Sequence, residues 1–127
     1  MSHTILIADD EAALRMLVRA TLDTGHLSIL EASDGETALR LAREARPDLI
    51  LLDWSMPGLT GLEVAQALHS DPATADLPIV MLTARALPFD QEAARDAGVA
   101  HYMTKPFSPR ALLDLVRQRF GPEALIG

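Results

Sequence analysis

Residues 49–53 read Leu-Ile-Leu-Leu-Asp, and the stretch that follows is Trp-Ser-Met-Pro-Gly-Leu-Thr-Gly. Four consecutive apolar residues, too few for a buried helix and closed by turn formers, describe a strand covered on both faces. Strands of that kind belong to parallel sheets with helices packed above and below. The run ends on a single carboxylate, Asp53. In open parallel α/β sheets ligands bind in the crevice beyond the carboxyl ends of the strands, so Asp53 stands where chemistry is expected. Pro57, Gly58 and Gly61 then turn the chain away over the top of the sheet.

The remaining chain repeats this scheme. Thr4 to Ala8 is a first buried strand running into Asp9-Asp10-Glu11. The helix after it carries Leu14, Leu17, Val18 and Leu22 on one face and Arg15 and Arg19 on the other, with Gly25 as its stop. Leu27 to Ala32 is a second strand. Ser33 followed by Glu36 has the spacing of a capping box and opens a helix to about Ala45. After the central strand, Thr60 or Gly61 starts a third helix with Leu62, Ala65 and Leu68 inward, Val64 flanking, and a break at Asp71-Pro72. Pro78 to Thr83 is the fourth strand, followed by a weak, alanine-faced helix from about Phe89 to Ala97. His101 to Thr104 is the fifth strand. Ser108 caps a last helix with Pro109 at its first position, ending at Gly121-Pro122. Five strands alternating with five helices imply one parallel α/β sheet covered on both faces, with right-handed crossovers.

Composition narrows the function classes. The net charge of -7 argues against a nucleic-acid-binding surface, and the absence of cysteine removes disulfides, thiolate metal sites and a cysteine nucleophile. The N-terminus has no basic segment followed by an apolar stretch, and no apolar run approaches the roughly 20 residues that span a bilayer. A cytoplasmic location without membrane partners is the expectation. Of the 11 Lys and Arg residues only Lys105 is a lysine, so a compact ammonium stands alone among planar guanidinium groups.

If the sheet is parallel, the strand ends bring Asp9, Asp10, Asp53, Thr83 and Lys105 to one edge. Crowded carboxylates repel unless a cation intervenes, and a hard divalent ion such as Mg2+ takes oxygen ligands of this kind. Lys105 and Thr83 suit phosphoryl oxygens, and Asp53 is a candidate nucleophile, since carboxylates form aspartyl-phosphates. Singly, each residue has a plainer reading. Asp9 or Asp10 could cap the helix, Lys105 could merely pair with Asp53, and Thr83 could simply end its strand. Their coincidence at successive strand ends favours a site.

Asp9-Asp10, Asp53-Trp54-Ser55-Met56-Pro57 with Gly61, Leu82-Thr83-Ala84, Ala97-Gly98 and Tyr102-Met103-Thr104-Lys105-Pro106-Phe107 together resemble the response-regulator receiver domains of two-component signalling. The resemblance covers nearly the whole chain. It implies a flavodoxin-like three-layer sandwich of order 2-1-3-4-5, formed by residues 1–121 with 122–127 as a short tail. It implies Asp53 as phosphoacceptor, with Mg2+ held by Asp9, Asp10, Asp53 and the backbone carbonyl of Ser55. Thr83 and Tyr102 would be switch residues, Lys105 would bind the phosphoryl group through an ammonium followed by a cis peptide bond to Pro106, and Ser55 and Arg85 would influence phosphoryl lifetime. The implied partners are a histidine kinase or phosphotransfer protein as donor, and a target on the face of the fourth helix, fifth strand and fifth helix. Leu87-Pro88-Phe89 is read as local packing, with part of a partner surface as the alternative. Such a domain catalyses only its own phosphorylation and dephosphorylation, either as a stand-alone receiver or as part of a longer regulator. Two alternatives remain: a non-phosphorylated interaction module, and a Mg2+-dependent aspartyl-phosphate phosphohydrolase.

Overall fold

Short, mostly apolar segments form all but the last strand of the single sheet in the computed structural model, which describes residues 3–23, 26–84, 88–99 and 101–121. Gly25, Arg85, Leu87 and the tail 122–127 lie outside the described residues, as do the side chains of residues 88–90. The elements follow in strict alternation: β1 His3–Ala8, α1 Ala12–Leu22, β2 Leu27–Ala32, α2 Gly35–Ala45, β3 Leu49–Asp53, α3 Gly61–Ser70, β4 Ile79–Thr83, α4 Pro88–Asp96, β5 His101–Thr104 and α5 Pro109–Phe120. All pairings are parallel and the order is β2-β1-β3-β4-β5. Among the described residues no helix is long and apolar enough to cross a membrane.

The two-residue period of a strand divides the apolar runs between the faces. Leu49 and Leu51 join Ile5, Ile7, Val80 and Leu82 beneath α1 and α5, where Val18, Leu22, Leu112 and Val116 pack. Ile50 and Leu52 join Leu6, Ala8 and Met81 on the other face, against Ala38 and Ala42 of α2, Val64, Ala65 and Leu68 of α3, and Ala94 of α4. The central strand needs to be apolar throughout because both of its faces are covered; every residue of β3 is buried.

Three local expectations are corrected. The cap of α2 is Asp34, not Ser33. Asp34 Oδ1 accepts from the Thr37 backbone N–H at 2.7 Å and Oδ2 from the Thr37 hydroxyl at 3.0 Å. Both residues have capping spacing, and a carboxylate is favoured at the positive end of a helix. The Thr37 backbone bond, followed by its hydroxyl, holds Asp34 below the usual carboxylate range. On α1 the buried stripe is Val18 and Leu22, with Leu14 half-buried, whereas Leu17 is exposed. One i, i+4 row is enough to meet the sheet, and Leu17 lies to its side. On α3 the row Gly61, Val64, Ala65 and Leu68 is buried and Leu62 is the flanking residue. Thr60 caps this helix through a complete capping box with Glu63.

Gly61 couples this architecture to the end of β3. Its N–H donates to the Trp54 carbonyl at 2.8 Å, and a Cβ there would fall onto the Asp53 carbonyl oxygen and crowd the Trp54 backbone. Backbone cannot yield as a flexible side chain does, so Gly61→Ala is overpacked. We expect Gly61→Ala to lower unfolding stability by about 1–3 kcal/mol, measured by urea unfolding. The exposed α3 variant Gln66→Ala should stay within about 0.5 kcal/mol of the parent.

Candidate functional site

Adjacent strands deliver the carboxylates. The β1–β3 register pairs Ala8 with Leu52, so Asp9 and Asp53 are the next residues on neighbouring strands. Asp9 is fully buried and Asp53 is 6% exposed, while Asp10 stands at the solvent edge. Thr83 ends β4 and is buried at 2% exposure. The Lys105 N–H donates to the Thr83 carbonyl at 2.7 Å, extending the β4–β5 ladder one step before the cis Lys105–Pro106 bond. From there the lysine reaches inward. Its Nζ donates to Asp9 Oδ2 at 2.7 Å and to Asp53 Oδ1 at 3.2 Å, and lies 3.8 Å from Glu11 Oε1. Strands are spaced about 4.8 Å apart, so spanning from edge strand β5 to β3 and β1 takes a long, flexible cationic side chain.

Asp10, Glu11, Asp53, Ser55, Thr83, Ala84 and Lys105 line an open cleft of about 380 Å3. Oxygens of Asp9, Asp10 and Asp53 lie within 4.8 Å of one another. An all-oxygen set suits a hard divalent cation. Mg2+ commonly takes one or two carboxylates directly and retains waters, so this spread and this open cleft fit it. The helix-cap reading of the acidic pair is not met. Asp9 Oδ1 accepts from the Glu11 N–H at 2.9 Å, just ahead of α1, whose N-cap is Glu11 and has no side-chain cap.

The structure thus brings together Asp9, Asp10, Asp53, Ser55, Thr83 and Lys105. Tyr102 is not in this cleft. It is half-buried and stands edge-on to the Trp54 ring, at 6.5 Å between centroids and 66° between planes. It also borders a groove with Gln91, Ala94, Arg95, Val99 and His101. Glu11 enters the cleft with no sequence signal beyond its place after the acidic pair.

The electrostatics are those of a strained cluster. Burial, then the charge of Asp9, raises the Asp53 pKa above the ordinary carboxylate value; the Lys105 charge and hydrogen bond and the Ser55 N–H pull the other way without reversing it. Burial alone would push the Lys105 ammonium down, but its bond to Asp9 and the charges of Asp53 and Asp9 outweigh that and raise it.

A carboxyl whose folded pKa is raised lends stability below its unfolded value, near 3.9, and loses it as pH rises through the folded value. Ionised Asp53 therefore opposes folding at neutral pH. In chelator at pH 7 we expect Asp53→Asn to melt higher than the parent, by roughly 3–6 °C for each kcal/mol relieved. The difference should shrink as pH falls into the carboxylate range. Equal melting at pH 7, read by thermal denaturation across pH, would contradict this balance.

The sequence matches the response regulator receiver domain family over residues 5–117. It is 43% identical over 125 residues to the phosphate regulon transcriptional regulatory protein PhoB of Pseudomonas aeruginosa, covering 96% of this chain and 55% of that protein. It is 42% identical over 110 residues to the alkaline phosphatase synthesis transcriptional regulatory protein PhoP of Bacillus subtilis, covering 87% and 45%. The chain spans about half the length of these curated relatives. Among solved structures it is similar to the chemotaxis response regulator CheY4 of Vibrio cholerae, with TM-score 0.87, 31% identity, and coverage of 94% of this chain and 100% of that one. It is also similar to the receiver domain of a Pseudomonas aeruginosa sensor histidine kinase with a magnesium ion coordinated in its active-site cleft. There the TM-score is 0.84 at 29% identity, covering 95% and 99%. The family match begins in the first strand and ends in the last helix, so it takes in every residue of the acidic cleft: this chain belongs to the response regulator receiver domains.

Proposed function

We propose that the chain is a phosphorylation-driven switch in which Asp53 is the phosphoacceptor, and that residues 1–121 form the receiver unit. The observation that carries this reading is the placement of Asp53. Its carboxylate is shielded at a strand end, 3.2 Å from the Lys105 ammonium, with the oxygens of Asp9 and Asp10 close by. The donor would be a phosphohistidine on a histidine kinase or a phosphotransfer protein. An Asp53 oxygen attacks phosphorus, a P–O bond forms as the P–N bond breaks, and the departing imidazole takes a proton.

Asp9, Asp10, Asp53 and the Ser55 carbonyl would hold Mg2+, which when bound neutralises charge on the transferring group. Lys105 supplies a second, fixed positive charge at the phosphoryl oxygens, and its raised pKa keeps it protonated for that role. Thr83, at the neighbouring strand end, donates its hydroxyl to the phosphoryl group. The added charge and acceptor oxygens then favour a second arrangement of the α4–β5–α5 face, with Tyr102 turned inward. A target protein binds that face. The chemistry is confined to the domain's own phosphorylation and dephosphorylation, with no substrate turned over; direct nucleic-acid binding by this acidic domain is not part of the reading.

Incubation with acetyl phosphate, followed by intact-mass spectrometry, tests it. We expect one added phosphoryl group on the wild type with Mg2+, and none in chelator or on Asp53→Asn. An adduct that persists on Asp53→Asn would move the acceptor elsewhere. No adduct on a folded wild type, sampled faster than hydrolysis, would leave a non-phosphorylated interaction module as the better reading.

A further inference from the structure

The acidic loop is held from behind by a residue that does not enter the cleft. Arg15, on the first turns of α1, donates from Nη1 to the backbone carbonyl of Asp9 at 2.7 Å and from Nε to Glu31 Oε1 at 3.2 Å. Arg19, one turn on, donates to the other oxygen of the same glutamate at 2.8 Å and to the Ile29 carbonyl at 3.0 Å. The two arginines thus share Glu31 but grip different carbonyls. One is on the edge strand β2. The other belongs to the peptide that joins Asp9 to Asp10.

That second carbonyl matters for geometry. The Asp9 side chain is already fixed, by the Glu11 N–H on Oδ1 and Lys105 on Oδ2, and its N–H donates to the Ala32 carbonyl at 3.0 Å. Asp10 is exposed, so loop backbone rather than packing sets where its carboxylate points. The orientation of the Asp9–Asp10 peptide is the setting, and a planar guanidinium anchored on Glu31 is a rigid way to hold it.

We propose that Arg15, oriented by Glu31, is a positioning residue for the acidic loop and sets the affinity of the cleft for a divalent cation. The proposal rests on the reading of Asp9 and Asp10 as metal ligands. Charge alone makes the opposite prediction. Removing a positive group near a cation site should tighten cation binding, whereas removing a positioning residue should weaken it, as loss of outer-shell partners of metal ligands does.

The experiment is a Mg2+ titration at constant ionic strength, followed by the fluorescence of Trp54, the single tryptophan and the neighbour of Asp53. Melting of each variant is recorded alongside. We expect Arg15→Met to weaken Mg2+ binding about tenfold. Arg15→Lys, which keeps the charge but cannot span both partners in a plane, should weaken it in the same direction. Arg19→Met removes the same charge and a contact to the other Glu31 oxygen, but leaves the Asp9 carbonyl held, and should bind as the wild type does or tighter. Equal or tighter binding by Arg15→Met overturns the proposal. If that variant does not fold, wild-type affinity in Arg15→Lys overturns it. Equal weakening in Arg19→Met would also do so, by making the effect one of general loosening. A wild type that binds no Mg2+ would instead sink the metal-ligand reading, and this inference with it.

Discussion

Asp9 and Asp53 end neighbouring strands with their carboxylates drawn out of water, and the Lys105 ammonium between them makes that tolerable. Like charges in a poorly solvated place repel strongly, and burial penalises each separately. One cation bridging both offsets part of this, yet Asp53 remains raised. Removing the lysine would leave two buried carboxylates facing each other, the arrangement in which a broken ion pair costs most. The path of the chain past β5 follows from this need. The bond from Lys105 to the Thr83 carbonyl carries the ladder to the lysine itself, so that the ammonium starts from a fixed base on the sheet. A cleft that tolerates its own charge only partly is suited to taking up more positive charge.

Much of this was legible in the sequence because it depends on short-range pattern. A both-faces-buried strand needs an unbroken apolar run, so the strands and their ends could be read directly, and a parallel sheet places those ends on one edge. Lys105 stood out by chemistry, as the only ammonium in the chain. The strand order came with the resemblance rather than from the runs, since alternation of strand and helix permits several orders. What was misread turned on competition between equivalent neighbours. Ser33 and Asp34 both have capping spacing, and the stronger acceptor took the position. Leu17 and Leu62 both fit an apolar stripe, but the angle at which each helix lies on the sheet decides its edge. Arg15 was invisible as more than a polar-face residue, because its partners lie on other elements and arginine spacing carries no period. Trp54 against Tyr102 is of the same kind, a contact across 48 residues of chain.

The helices are held unequally against the sheet, and this bears on how a change at Asp53 travels. The α1 and α5 side buries Val18, Leu22, Leu112 and Val116, large groups on both helices. Among the described side chains of α4 only Ala94 is buried, with Ala97 just beyond the helix end. A methyl side chain removes far less apolar area from water than a leucine, so α4 belongs to the part of the fold that is least expensive to displace. A groove of about 350 Å3 already lies between α4 and β5, with Tyr102 on its wall. Tyr102 touches the ring of Trp54, and Trp54 is the residue after Asp53. Conformational coupling requires an element with two arrangements of similar free energy that the modified site can bias. Helices α1 and α5 are more costly to displace, because each would give up a buried valine and a buried leucine. A helix seated on alanine, beside a groove and one aromatic contact from the strand that ends at Asp53, asks for a shift small enough for one local change to drive.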